Sequence, residues 1–305
     1  MNRFWPSAAI HAALILIGCG GASTSPNQVP TPIPTQSGLS AVGYVLLTGN
    51  PNVGMLSISE YPTGSVSALR TFQEVSGAKI RFDPSGTLWF DAIGEFIGYN
   101  PDGSSAGTIF VHGQLLWFDV RGNLYTSGGT NGGPGLDAYS MVSANGSVLS
   151  REITTVNGPC SAATDRAGNL YLSTCLLTPN GILYGSVSMY GPSATGNAAP
   201  LLTNQIATGP LTVDPSGNVY AVYNGALGIW SGTFTASAPT RTVSIGSNVA
   251  VIDLAVDRAG NAYVITEPAP ALGGSTATLL YIANGGINPI VLQTGTFWSV
   301  AAPIQ

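Results

Sequence analysis

Phe82-Asp83-Pro84-Ser85-Gly86-Thr87-Leu88-Trp89-Phe90 decides the fold, because the chain repeats it. Phe118-Asp119-Val120-Arg121-Gly122-Asn123-Leu124-Tyr125, Thr164-Asp165-Arg166-Ala167-Gly168-Asn169-Leu170-Tyr171, Val213-Asp214-Pro215-Ser216-Gly217-Asn218-Val219-Tyr220 and Val256-Asp257-Arg258-Ala259-Gly260-Asn261-Ala262-Tyr263 keep the same order of residue types. An apolar strand runs into Asp, whose carboxylate can bond backbone N–H groups one or two residues on. Gly supplies the positive-φ position, and an aliphatic residue and an aromatic ring start a second strand. Each copy is a tight β-hairpin. Asp83, Asp119, Asp165, Asp214 and Asp257 sit at the same place in these turns, which marks them as structural caps rather than catalytic acids.

Outward from each hairpin lies another alternating stretch, such as Phe96-Ile97-Gly98-Tyr99 or Leu227-Gly228-Ile229-Trp230, and then a fainter one, so each unit is a four-stranded antiparallel meander. Successive repeat Asp residues stand 36, 46, 49 and 43 positions apart, spacings that suit the blades of a propeller. Residues 41–305 hold about six such units. The two ends complete each other. Val42–Leu47 and Gly54–Tyr61 resemble second and third strands with no innermost strand ahead of them, and Gly295–Pro303 resembles an innermost strand with nothing behind it. Joining them closes the ring and removes the open sheet edges. The expectation is an all-β, six-bladed propeller of four-stranded antiparallel blades, closed by the C-terminal strand entering the N-terminal blade.

The Asp-x-x-Gly-Asn-Leu-Tyr hairpin resembles the NHL-repeat and gluconolactonase-like six-bladed propellers, in particular their extracellular lipoprotein versions, over nearly all of residues 41–305. The Asp and the Asn-Arg-Ile run that NHL repeats add after the second strand are missing here. The resemblance implies architecture more than activity, since such propellers include lactonases, lyases and plain binding scaffolds. It also implies that the Asp turns lie on the face opposite the usual active site, and that an enzyme of this kind would hold a divalent cation at one channel mouth with Glu, Asn and Asp side chains.

The first residues have the parts of an export signal: Arg3, the apolar run Ala8–Ile17, and the small residue Gly18. That run falls short of the roughly 20 apolar residues that span a bilayer. Leu16-Ile17-Gly18-Cys19 resembles the lipobox of bacterial lipoproteins, which would remove residues 1–18 and place the lipid on Cys19. Gly20 in place of Asp then favours the outer membrane. Residues 19–40 carry Pro26, Pro30, Pro32 and Pro34 among Ser, Thr and Gln with little to bury, and read as a tether. The expected address is the cell envelope, lipid-anchored at the outer membrane or extracytoplasmic surface.

Two cysteines remain, Cys160 and Cys175, flanking the Asp165 hairpin on neighbouring strands. A turn centred near 166.5 sets Cys160 opposite residue 173, with Cys175 one step away on the same face. In an oxidising compartment this predicts a disulfide, the alternative being two buried thiols. Lys79 is the only lysine, and the net charge of −5 is thinly spread, so there is no basic stripe for nucleic acid.

Aligning the innermost strands on the repeat Asp places Lys79, Leu115, Ser161, Pro210, Asp253 and Trp298 at one level, four residues upstream. Arg81, Trp117, Ala163, Thr212, Ala255 and Val300 stand two residues upstream. By the period of two, these variable positions line the channel, while Ile80, Phe82, Phe118, Leu254 and their equivalents face the core. Lys79, Arg81, Trp117, Asp253 and Trp298 are the candidate ligand-binding residues at the channel mouth. Asp253 is the only carboxylate in the layer, and Lys79 is placed to pair with it. A hard cation wants several oxygen ligands, and the nearest reserves are Asp91, Glu95 and Glu267. His112 is the only histidine after cleavage, and there is no serine elbow. No catalytic residue, metal ligand or cofactor is assigned. The sequence favours a monomeric, membrane-anchored binding or scaffold module for a protein or glycan ligand, with no nucleic-acid partner. The alternative is a channel-site lactonase or lyase using Ca²⁺ or another divalent cation.

Overall fold

In the computed structural model the chain's apolar alternation resolves into six four-stranded antiparallel sheets. The described residues are 42–303 without 51–54, 76–78, 93–94, 112, 129–134, 144–145, 156, 179–180, 233, 236 and 269–275. The expected export signal (residues 1–18), Cys19, the expected tether and His112 lie outside them.

Blade 1 contains β1 (Tyr44–Asn50), β2 (Met55–Tyr61) and β3 (Arg70–Val75). Blade 2 follows as β4 (Ile80–Phe82), β5 (Leu88–Ala92), β6 (Glu95–Tyr99) and β7 (Ser105–Ile109), and blade 3 as β8 (Gln114–Phe118), β9 (Leu124–Ser127), β10 (Gly135–Ser143) and β11 (Gly146–Thr154). Blade 4 is β12 (Pro159–Thr164), β13 (Leu170–Thr178), β14 (Gly181–Tyr190) and β15 (Leu202–Asn204). Blade 5 is β16 (Ala207–Val213), β17 (Val219–Tyr223), β18 (Ala226–Trp230) and β19 (Arg241–Ser244). Blade 6 is β20 (Val249–Val256), β21 (Ala262–Pro268), β22 (Ala277–Ile282) and β23 (Ile290–Gly295).

The last strand, β24 (Phe297–Ala301), adds to β1 as the innermost strand of blade 1, with Val45 opposite Ala301, Leu46 opposite Val300 and Leu47 opposite Ser299. The innermost strands β24, β4, β8, β12, β16 and β20 then touch in a closed ring, β20 meeting β24 again. The protein is a six-bladed β-propeller closed by its C-terminal strand.

The core lies between blades, and the strand pleat explains why. On β1, Val45 and Leu47 pack with Ile80, Phe82, Leu88 and Phe90 of blade 2, while Tyr44 and Leu46 pack with Tyr263, Ile265 and Leu279 of blade 6. Successive side chains point to opposite faces, so a strand buried on both faces must be apolar at nearly every position. At the blade 1–6 seam, the Tyr44 ring stacks on Tyr61 of its own blade at 4.8 Å and, across the seam, on Tyr263 at 4.6 Å between centroids.

The repeated turns show what the motif encodes. Asp214 Oδ1 accepts from the backbone N–H of Ser216 (2.8 Å) and Asn218 (2.9 Å), and Oδ2 accepts from Asn218 Nδ2 (2.7 Å) and the Tyr220 hydroxyl (3.1 Å). The same i+4 amide and i+6 hydroxyl serve Asp119, Asp165 and Asp257. In the first copy Thr87 and Trp89 replace Asn and Tyr, and the Trp89 indole N–H donates to Asp83 Oδ2 at 2.9 Å. What the last position needs is a ring carrying a donor. Burial and the neighbouring Asp119 carboxylate push the Tyr125 hydroxyl up to about 12, so it remains a donor. Each turn closes with the Gly N–H bonded to the Asp carbonyl and Gly at positive φ, as in Gly217 at 84°. A type I turn followed by a left-handed residue is a common three-residue hairpin loop.

Cys160 and Cys175 are bonded through their Sγ atoms, with Cα atoms 5.7 Å apart. The pairing differs by one residue from a regular hairpin. Ser161, not Cys160, lies opposite Ser173, because Cys160 is the extra residue of a β-bulge between Pro159 and Ser161. The bulge turns Cys160 toward Cys175, whose N–H bonds the carbonyl of Gly158 at 2.9 Å.

Candidate functional site at the propeller axis

Two regions on the axis differ in how their charge is used. The first is a buried ion cluster among β4, β20 and β24. Asp253 Oδ1 is 3.0 Å from Arg81 Nη2 and 3.2 Å from Lys79 Nζ, and Oδ2 accepts from Arg81 Nη1 (3.1 Å), Ser299 Oγ (2.5 Å) and the Val300 N–H (3.1 Å). Asp253 is 1% exposed, so it is fully withdrawn from water. Burial pushes its pKa up, but the Arg81 and Lys79 charges and the Arg81 and Ser299 hydrogen bonds outweigh this and hold the carboxyl well below the usual carboxylate range. Burial likewise pulls Lys79 below the ordinary lysine value, against the attraction of Asp253.

Arg81 spans the channel. Besides Asp253, its guanidinium donates to the carbonyls of Leu116 (3.0 Å), Ile80 (2.7 Å) and Val300 (3.3 Å), so it touches four of the six innermost strands. Beside it lies a void of about 20 Å³ lined by Arg81, Trp117, Thr212, Ala255 and Val300 together with apolar neighbours, room for about one water. Five of the six positions two residues upstream of the repeat Asp are thus brought together.

The other candidate positions are placed differently. Trp117 lines the void, and its indole N–H donates to Thr164 Oγ1 at 3.1 Å. Trp298 turns away from the cluster, donating to the Gly49 carbonyl at 3.0 Å and packing against the blade 1–2 core. The reason is a bulge in β24 between Ser299 and Phe297, with similar register shifts at Leu116 in β8, at Gly209 and Pro210 in β16 and at Ile252 in β20. Each extra residue breaks the period of two, so four residues upstream is not one level. The bulge puts Ser299 in the cluster, a position that counting by twos passes over. Ser161 instead bridges strands, accepting from the Leu211 N–H and donating to the Leu211 carbonyl.

The residues present do not fit a resident divalent cation at the channel. Asp253, the one carboxylate of the channel cluster among the described residues, is already bonded on both oxygens and stands beside two cationic side chains that would repel a metal. Half-buried Asp91 is occupied by the Leu115 N–H at 3.3 Å, and burial raises its pKa to about 6. Glu95 is half-buried at the start of β6 and Glu267 buried in β21. Among the described residues no three His, Cys, Asp or Glu side chains gather.

The second region is the mouth on the turn side. A hollow of about 460 Å³ opens there, lined by Val120, Thr164, Arg166, Val213, Asp214, Pro215 and Arg258. Val120, Arg166, Pro215 and Arg258 each follow a repeat Asp, so the turns of blades 3 to 6 surround the opening. Arg166 and Arg258 are exposed, and among the described residues neither guanidinium makes a hydrogen bond or ion pair. Sequence reasoning missed both. The signal was the identical Asp-Arg-Ala-Gly-Asn run at 165–169 and 257–261, whose Arg the turn itself does not require.

No protein-family model and no curated protein matches the sequence. Among solved structures, the chain is similar to a protein of unknown function from Bacteroides caccae, with 13% identity, a TM-score of 0.58 and coverage of 85% of this chain and 98% of that one. It also matches a calcium-binding protein, regucalcin, from Agrobacterium tumefaciens (14% identity, TM-score 0.46, 72% and 73% coverage). A third match is the extracellular domain of a one-component-system protein from B. thetaiotaomicron (13% identity, TM-score 0.47), of which this chain covers 38%. At such identities the first likeness speaks for the propeller fold alone.

Proposed function

We propose that this chain is a lipid-anchored, extracytoplasmic propeller that works as a monomeric binding or scaffold module for a protein or glycan ligand. The observation that carries the reading is the state of the axis. The channel charge of Lys79, Arg81 and Asp253 is spent on closing the ring, while the concave turn-side mouth carries cationic groups with no hydrogen-bond or ion-pair partner among the described residues. A reaction site in the channel would need groups that are not already bonded to one another. Cys19, in its lipobox context, supplies the anchor, and the Pro-rich residues 19–40 hold the propeller away from the bilayer.

The test uses the full-length chain in a bacterial host. Labelled palmitate should enter the wild type and not Cys19→Ser, and the purified wild type should give saturable binding on a glycan array or to a surface protein. Melting the same chain with Ca²⁺, Mn²⁺ or Zn²⁺ should leave Tm unchanged. A saturable rise with one cation, joined to turnover of lactone substrates, would replace this reading with the metal-dependent enzyme.

A further inference from the structure

We infer that the turn-side mouth is a binding site for the carboxylate of an acidic saccharide, gripped by Arg166 and Arg258. The inference rests on the binding-module reading and deepens it by naming site and ligand chemistry.

The turn does not ask for these arginines. In a type I turn the residue after the Asp is best served by Pro, and blades 2 and 5 carry Pro84 and Pro215 there. Blades 4 and 6 carry Arg instead, on either side of blade 5, so two guanidinium groups flank one hollow. Asp214 also lines it, but its carboxylate is taken by four donors within its own turn. Among the described residues no carboxylate forms an ion pair with either arginine. A guanidinium offers paired N–H donors that match a carboxylate two at a time.

The rest of the lining suits a sugar ring. Thr164 Oγ1 accepts from the Trp117 indole, which leaves the Thr164 O–H to donate toward a ring oxygen or hydroxyl. Val120 and Pro215 offer apolar contact to C–H groups of the ring. At about 460 Å³ the hollow is of small-ligand size. It is surrounded by turns and does not run along a sheet edge, so it receives the end of a compact molecule and gives an extended peptide no strand to pair with.

The experiment titrates the detergent-solubilised full-length chain at low ionic strength with digalacturonate, its neutral counterpart galactobiose, and tetraglutamate. Digalacturonate should bind saturably, with galactobiose and tetraglutamate weaker by about 10-fold or more. Arg166→Gln combined with Arg258→Gln should cut digalacturonate affinity by about 10-fold or more with Tm unchanged, whereas Arg241→Gln, on the outer strand of blade 5, should bind as the wild type. Absence of digalacturonate binding, or equal binding by the double variant, overturns the inference. Tighter binding of tetraglutamate through the same arginines also overturns it, in favour of an acidic peptide. If the wild type and the double variant bind an array ligand equally, this site falls and the module reading stands. If the wild type binds no array ligand or surface protein, the module reading itself falls.

Discussion

The seam around Asp253 and the mouth around Arg166 and Arg258 lie on one axis, yet they use charge in opposite ways. At the seam, a buried carboxylate, a buried arginine and a half-buried lysine are bonded to one another and tie together four innermost strands. At the mouth, two cations are exposed and unengaged among the described residues. A buried charge is tolerable only when its partners are complete, so a complete cluster has nothing left for a ligand. An exposed charge in a hollow costs the fold little and keeps its bonding capacity for something else. The difference separates what holds the ring shut from what the ring can hold.

The comparison breaks first, and most severely, at the closure. Deleting residues 297–305 removes β24 and exposes the inner edge of β1, along with the face that Phe297 and Val300 cover. The truncated chain should lose its cooperative thermal transition and associate on gel filtration, since an unpaired apolar edge is a template for pairing. A truncated chain that melted as a monomer near the wild-type temperature would show that the ring does not depend on this strand.

Next in size is Asp253→Ala, which leaves the buried Arg81 and the half-buried Lys79 without their counter-ion. Breaking a buried pair in this way costs about 3–5 kcal/mol, whereas Arg166→Gln or Arg258→Gln should stay within about 0.5 kcal/mol. Urea denaturation of the three variants measures the contrast directly. The pH dependence sharpens it. The native pKa of Asp253 lies below its unfolded value, so its contribution is complete above the ordinary carboxylate range and is lost as pH falls through and below that range. Asp253→Ala should therefore be most destabilising at neutral pH and converge on the wild type in strong acid.

What was legible in the sequence follows from how local each interaction is. Every partner of a repeat Asp lies within six residues, so the turn caps could be read from the motif alone. The ring closure was legible because the first unit lacked its innermost strand and the last segment supplied a lone one. The Lys79–Asp253 pair, 174 positions apart in sequence, was legible because the repeat gives both residues the same offset. Ser299 and the orientation of Trp298 were not, because a bulge is set by local backbone packing and leaves no mark in the apolar pattern. The disulfide partners could be paired, but the residue opposite Ser173 could not, for the same reason. Arg166 and Arg258 were visible as letters, but their shared role depends on the side-by-side placement of blades 4 to 6, which only the ring provides.

A further expected effect, smaller than that of Asp253→Ala, has the opposite sign and lies off both regions, at Asp91. This carboxylate sits on β5, half-buried, with one backbone bond from Leu115 and no ion-pair partner among the described residues, and burial raises its pKa to about 6. Between the ordinary carboxylate value and about 6 the native state binds more protons than the unfolded chain, so for this group stability falls as pH rises through that window. Above it the penalty is complete. Asp91→Asn keeps a carbonyl oxygen for the Leu115 N–H and removes the buried charge, so it should stabilise the propeller by about 1 kcal/mol at pH 8 and give almost no gain near pH 4. Thermal melts of both proteins across that range decide the matter. An equal gain at both ends would assign the effect to packing, and a loss at pH 8 would mean that the Asp91 charge has a stabilising partner. Asp91 would then resemble Asp253, a carboxylate whose burial is balanced by its neighbours, rather than one carried by the fold at a cost.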